Sequence, residues 1–328
     1  MAGLWHDAVV PPHRADDASL RDAGPDSPPQ RRAGRAGARR TRERGGVDEP
    51  AGDEVPVGPA PRGLSLGTAG VCAALTIAIV LGTVMGPGWY AALIFGVQLA
   101  FVAVWTLASR PPGPRVVVAV GIGVAAAGDI AVVWVRPAAL APLAYVAAAG
   151  FIAAAVGQML RPAPRLKATE SLGSSLLMSL GVVALGSLIV LSRSPKGAES
   201  LVICMLAAGT AITVARLADA VAPRPQASPQ VPRGWVGLAL GTVAGAVGAG
   251  VAAYLSNLAV PPAALAGLLT AAVAVLVDLS VSYDEASRRI DGADPPPLPT
   301  RYPPGPLAGL ALAAPVAYAV SGLVLHAF

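Results

Sequence analysis

Residues 64–85 read LSLGTAGVCAALTIAIVLGTVM, 22 positions without a charge. About 20 apolar residues wound as a helix cross the hydrocarbon core of a bilayer, so this stretch predicts a transmembrane helix. Moving outward from it, breaks rich in Pro, Gly and Arg divide the chain into eight more such spans. They lie at roughly 89–108, 116–135, 138–160, 170–191, 201–222, 235–256, 261–283 and 305–326. The third and fourth nearly touch and read as a helical hairpin or one broken helix. The expected fold is an all-α integral membrane domain of about nine transmembrane helices over residues 64–328.

Composition agrees with that reading. Hydrophobic residues are 54% of the chain and charged ones 13%, and the mean hydropathy is +0.61. A water-soluble enzyme cannot hide so much apolar surface. Aromatics are scarce, while the 37 glycines fall among Ala, Val and Leu, the residues of closely packed membrane helices. The formal net charge of +5 does not point to nucleic acid. Its basic residues sit in a tail and in short loops, where anionic lipid head groups are the nearer partner. Cys72 and Cys204 both fall inside apolar runs and read as packing residues. His6, His13 and His326 are too scattered to assemble a metal site or a catalytic triad.

Residues 1–63 differ from the rest. They hold 10 of the 24 Lys and Arg and 10 of the 19 Asp and Glu, with many Pro and Gly and few apolar clusters, and so predict a disordered tail. Between Arg31 and Arg44 the tail carries seven arginines against one Glu. No apolar segment near Met1 resembles a cleaved signal peptide. With nine spans and the tail inside, the cytoplasmic loops contain eleven Lys or Arg and the opposite loops three, namely Arg136, Arg193 and Lys196. Positive loops stay cytoplasmic. The expected placement is the inner (plasma) membrane, with the N-terminus cytoplasmic and the C-terminus outside. The long polar connections at 216–234 and 284–304 then face the cytosol.

Ionisable groups at membrane depth are functional candidates by default. Asp129 lies deep in the third span, where it either meets an arginine of a neighbouring helix or couples to a proton or ion. Arg216 and Asp219 are three apart on one helical face and read as an intrahelical ion pair. Asp278 stands near the cytoplasmic end of the eighth span, followed by Asp284, Glu285, Arg288 and Arg289, a mixture suited to a metal and a phosphate. The Gly-rich run 241–250 has no Lys-Ser/Thr after it and reads as a small-residue packing face that permits close packing, including a homodimer. Gly121-Ile122-Gly123 has neither the preceding strand nor the third glycine of a dinucleotide site.

Three pieces of the last hundred residues resemble the phosphatidate cytidylyltransferase family, membrane enzymes that make CDP-diacylglycerol from CTP and phosphatidate. Ala222-Pro223-Arg224, Ser228-Pro229 and Arg233-Gly234-Trp235-Val236-Gly237 before a Gly-rich span resemble the family's Ser-Pro-x-Lys-Thr-x-Glu-Gly loop. Val277-Asp278-Leu279-Ser280-Val281-Ser282 is similar to its Gly-Asp-Leu-x-x-Ser helix end. The run Leu310-Ala311-Leu312-Ala313-Ala314-Pro315-Val316-Ala317-Tyr318 is similar to its closing helix. The resemblance implies catalytic roles for Asp278 and Ser282, with Asp278 on Mg²⁺. It also implies phosphate binding by Arg233, Arg288 and Arg289, with CTP, phosphatidate and membrane lipids as partners. The family's acidic His-Gly-Gly-x-x-Asp-Arg-x-Asp loop aligns with Thr300–Ala308, which contains no acid, and its Glu aligns with Val236. Joining two polyanions needs metal ions to neutralise them. The expectation is therefore a relative with the family's fold and without its activity, still binding lipid or nucleotide. Two other classes remain open: a transporter or lipid flippase using Asp129, and a structural membrane protein whose tail recruits a partner.

Overall fold

A computed structural model describes residues 61–111, 113–160, 168–194, 196–228, 231–292 and 296–322. The expected tail up to residue 60, the three histidines, Arg161, Arg165, Lys167, Pro229 and Asp294 lie outside the described residues. Nine helices run through the rest: α1 (Arg62–Gly82), α2 (Pro87–Ser109), α3 (Pro114–Trp134), α4 (Ala141–Met159), α5 (Ala168–Ser192), α6 (Gly197–Val221), α7 (Trp235–Leu255), α8 (Val260–Ile290) and α9 (Pro304–Val320). A short hairpin, β1 (Gln226–Ser228) and β2 (Val231–Gly234), joins α6 to α7. Eight helices are long and apolar enough to cross a membrane, and α9 is a shorter apolar helix of 17 residues. This is an all-α membrane architecture.

Helix boundaries follow local chemistry. Proline opens α2, α3, α4, α8 and α9 within their first two positions, where its fixed φ suits a helix and its missing N–H costs nothing. Gly86 and Gly113 precede two of these starts at φ near 90°, a conformation that glycine adopts without steric cost. The third and fourth spans are separate helices, broken by extended backbone at Val135 and by Pro137. The eighth runs to Ile290, seven residues past its expected end. Its extension is polar and carries Asp284–Arg288 and Glu285–Arg289 pairs, which support a helix outside lipid.

The two most buried spans are α5 and α6. Around α5 pack α2, α3, α4 and α9, and around α6 pack α1, α7, α8 and α9, so α9 is shared by both groups. Lipid tails are as apolar as leucine, so close approach of backbones, not expulsion of water, holds such helices together. The glycines of α7 provide that approach. A Cβ on Gly245 would lie 2.5 Å from Ala271 Cβ of α8 and 2.7 Å from the Ala207 carbonyl of α6. Gly241 meets α6 in the same way one turn earlier, so the run 241–250 is a packing face inside this bundle. Cys72 and Cys204 are fully buried in the core. Replacing Gly245 by Val overpacks the α6–α7–α8 junction and is expected to cost at least about 1–3 kcal/mol, read as a lower melting temperature in detergent. A Gly248→Val protein, whose added Cβ meets only the Thr210 side chain at 3.1 Å, should melt closer to the parent.

Candidate functional site

At the end of α6 the helical spacing puts Arg216 and Asp219 on one face, and the chain then turns through the β hairpin and re-enters the bundle as α7. The hairpin's second strand delivers Arg233 beside Asp219, with Arg233 Nε donating to Asp219 Oδ2 at 2.8 Å. The Gly234 amide donates to the other oxygen, Asp219 Oδ1, at 3.0 Å. Asp219 thus lies against the N-terminus of α7, where a negative charge is stabilised by the helix dipole.

Opposite stands Asp278 of α8, fully buried. Arg216 grips it with two prongs: Nε donates to Oδ2 at 2.9 Å and Nη2 to Oδ1 at 2.5 Å. Arg233 Nη1 also donates to Oδ2, at 2.5 Å. One turn along α8, Ser282 Oγ accepts from Arg216 Nη2 at 3.1 Å and donates to the Asp278 carbonyl at 2.9 Å. The cluster contains two cations and two anions and is neutral. Burial alone lowers the pKa of Arg233, but the charges of Asp278 and Asp219 outweigh it and hold the guanidinium above its ordinary value.

Glycines bring the covering helices onto these charges. A Cβ on Gly237, in the first turn of α7, would stand 2.6 Å from Asp219 Oδ1. A Cβ on Gly305, at the start of α9, would collide with Asp278 Oδ1 and lie 2.9 Å from Arg216 Nη2. Both helix starts lie close to a carboxylate because neither residue has a side chain.

The structure corrects one expectation here. Arg216 and Asp219 are not paired with each other: Arg216 crosses to Asp278 and Asp219 to Arg233. Asp278, Ser282 and Arg233 do come together. Arg288 and Arg289 do not join them. They lie about 15 Å further along α8, paired with Asp284 and Glu285 on a partly exposed surface, and Arg288 also donates to the Ala108 carbonyl at 3.3 Å. Asp129 is held by an amide and not by an arginine, with Gln98 Nε2 donating to its Oδ1 at 3.0 Å. Reading the sequence missed Gln98 and Gly305, and it quoted Gly237 as the last residue of the Ser-Pro-x-Lys-Thr-x-Glu-Gly-like run without giving it a packing role. A lone glutamine inside an apolar span was the available signal for the first; nothing local marks Gly305.

The donor set does not suit Mg²⁺. A divalent cation takes about six oxygens, whereas both oxygens of Asp278 and both of Asp219 already accept from donors, most of them cationic. Among the described residues no group of three or more His, Cys, Asp or Glu side chains converges on a point. Separately, α2, α5, α8 and α9 enclose a groove of about 310 Å³. Its walls include the stacked rings of Phe101 and Trp105 and the side chains of Leu177 and Val281, its α9 side is lined by Ala308 and Ala311, and Asp284 lies at its polar end. No protein-family model and no curated protein matches the chain.

Breaking a buried pair strands its partner, whereas removing both members need not. Arg216→Met and Asp278→Leu are each expected to destabilise the protein by about 3–5 kcal/mol. The double variant leaves the neutral Arg233–Asp219 pair and should lose less than the sum of the two. Thermal unfolding in detergent, arranged as a double-mutant cycle, measures the coupling.

Proposed function

We propose that this chain is a multi-pass protein of the inner membrane that keeps a phosphatidate cytidylyltransferase-like scaffold and binds lipid without performing the cytidylyl transfer. The observation that carries this reading is the state of Asp278. In the transfer, a phosphatidate oxygen attacks the α-phosphorus of CTP and pyrophosphate leaves, and metal ions must neutralise the meeting phosphates. Here the one aspartate that matches the family's motif is spent on two arginines. With an arginine on each side it joins three elements of the fold, and each of its oxygens already accepts from a guanidinium whose charge opposes a cation.

Lipid binding is supported by the groove between α2, α5, α8 and α9. It is apolar along Phe101, Leu177, Leu180 and Val281 and ends near Asp284 and Arg288, as an acyl chain with a polar head group requires. The excess of Arg and Lys in alternate loops supports a cytoplasmic N-terminus and an external C-terminus.

Purified protein given CTP, phosphatidate and Mg²⁺ is expected to form no CDP-diacylglycerol. Product from the parent chain that disappears in Asp278→Asn overturns the reading. Lipid retained through purification, counted by native mass spectrometry, should fall several-fold in Val281→Trp, which fills the groove. For orientation, a thiol reagent confined to the outside of cells should label Ser256→Cys. Ser287→Cys should react only after the membrane is opened.

A further inference from the structure

Asp129 and Gln98 lie in the other half of the bundle, between α2, α3 and α5, and belong to no part of the ionic cluster. Asp129 is 8% exposed and Gln98 1%. Both hydrogens of the Gln98 amide are used, one on Asp129 Oδ1 at 3.0 Å and one on the Val182 carbonyl at 3.2 Å. That fixes which way the amide points, because a flipped amide would set its oxygen against two acceptors. Two buried oxygens then remain without a donor among the described residues: Gln98 Oε1 and Asp129 Oδ2. They belong to the two side chains already joined to each other, and in a span surrounded by lipid each such orphan is costly.

We infer that Asp129 and Gln98 form a proton-binding site. A proton taken from water onto Asp129 Oδ2 makes that oxygen a donor, and Gln98 Oε1 is the acceptor its partner offers. The acid and the amide then hold one another through two reciprocal hydrogen bonds, and the pair passes from one negative charge to none. One proton satisfies both orphans at once. A metal ion fits less well, since a hard cation asks for about six oxygens and the two orphans belong to one small contact.

The groups around the pair leave this exchange to Asp129. On α2 the one titratable side chain is Tyr90, buried, with its hydroxyl unpaired among the described residues. Arg115 stands at the opposite end of α3, Tyr145 of α4 is exposed, and Glu170 lies in the first turn of α5. Arg193, just beyond α5, donates to the carbonyls of Val132 and Val135 and forms no ion pair with Asp129. A neutral-to-charged change inside the bundle is the chemistry a proton-coupled carrier needs. The site stands whether or not the lipid reading above does.

Infrared difference spectroscopy on the full chain tests the site. The parent protein is expected to show the carbonyl band of a protonated carboxylic acid under conditions where exposed carboxylates are ionised. The band should vanish in Asp129→Asn and move to higher frequency in Gln98→Leu, which removes its hydrogen-bond acceptor. Asparagine presents an N–H where the proton would sit, so Asp129→Asn should melt no lower than the parent. The inference is overturned if no such band separates parent from Asp129→Asn, if Na⁺ at constant pH abolishes it, or if Asp129→Asn is markedly less stable because the charge itself was needed.

Discussion

The carboxylate of Asp278 accepts from Arg216 on one side and from Arg233 on the other, and three elements are fixed by that one side chain. Taking four charges out of water costs several kcal/mol each, and the loss is offset only when geometry and hydrogen bonding are nearly complete. Completeness explains the surroundings. The hairpin is needed to turn Arg233 back toward Asp219; Gly237 lets α7 begin beside Asp219, and Gly305 lets α9 close over Asp278. The positions of α6, α7, α8 and α9 at this end of the bundle therefore depend on one another through electrostatics.

Elsewhere the helices are held by different physics. Glycine and alanine faces bring α6, α7 and α8 to backbone contact, where dispersion is gained at short range. Most hydroxyls within the spans need no tertiary partner. Thr68, Thr76, Thr106, Thr210, Thr242 and Thr270 each donate to the carbonyl four residues earlier in their own helix. Asp129 and Gln98 stand out against that background, because they are polar groups whose needs are met only across helices and only in part.

Much of the ionic cluster was visible as candidates and little of it as a site. The Asp-Leu-x-x-Ser pattern drew attention to Asp278 and Ser282, and both lie in the cluster. Spacing put Arg216 and Asp219 on one face, which is correct, but a shared face does not say what packs against it. The opposing elements supplied better partners than the neighbours did. Arg288 and Arg289 illustrate the reverse: they follow Asp278 closely in sequence, yet ten residues of unbroken helix carry them away from it. Gln98 passed unnoticed because one neutral amide barely alters the hydropathy of a span.

From the sequence alone came the membrane class and most of the boundaries of the apolar segments. These properties are local: a bilayer sets the length of an apolar run, and Pro, Gly and Arg stop it where it meets water. Tertiary structure alone decided which charges meet. The contacts of Asp278 reach 62 residues back to Arg216 and 45 back to Arg233, and Asp129 meets an amide 31 residues away. Such meetings depend on the order of helices in space, on the depth at which each side chain emerges, and on glycines that let one backbone touch another. None of these is written in the periodicity of a single span.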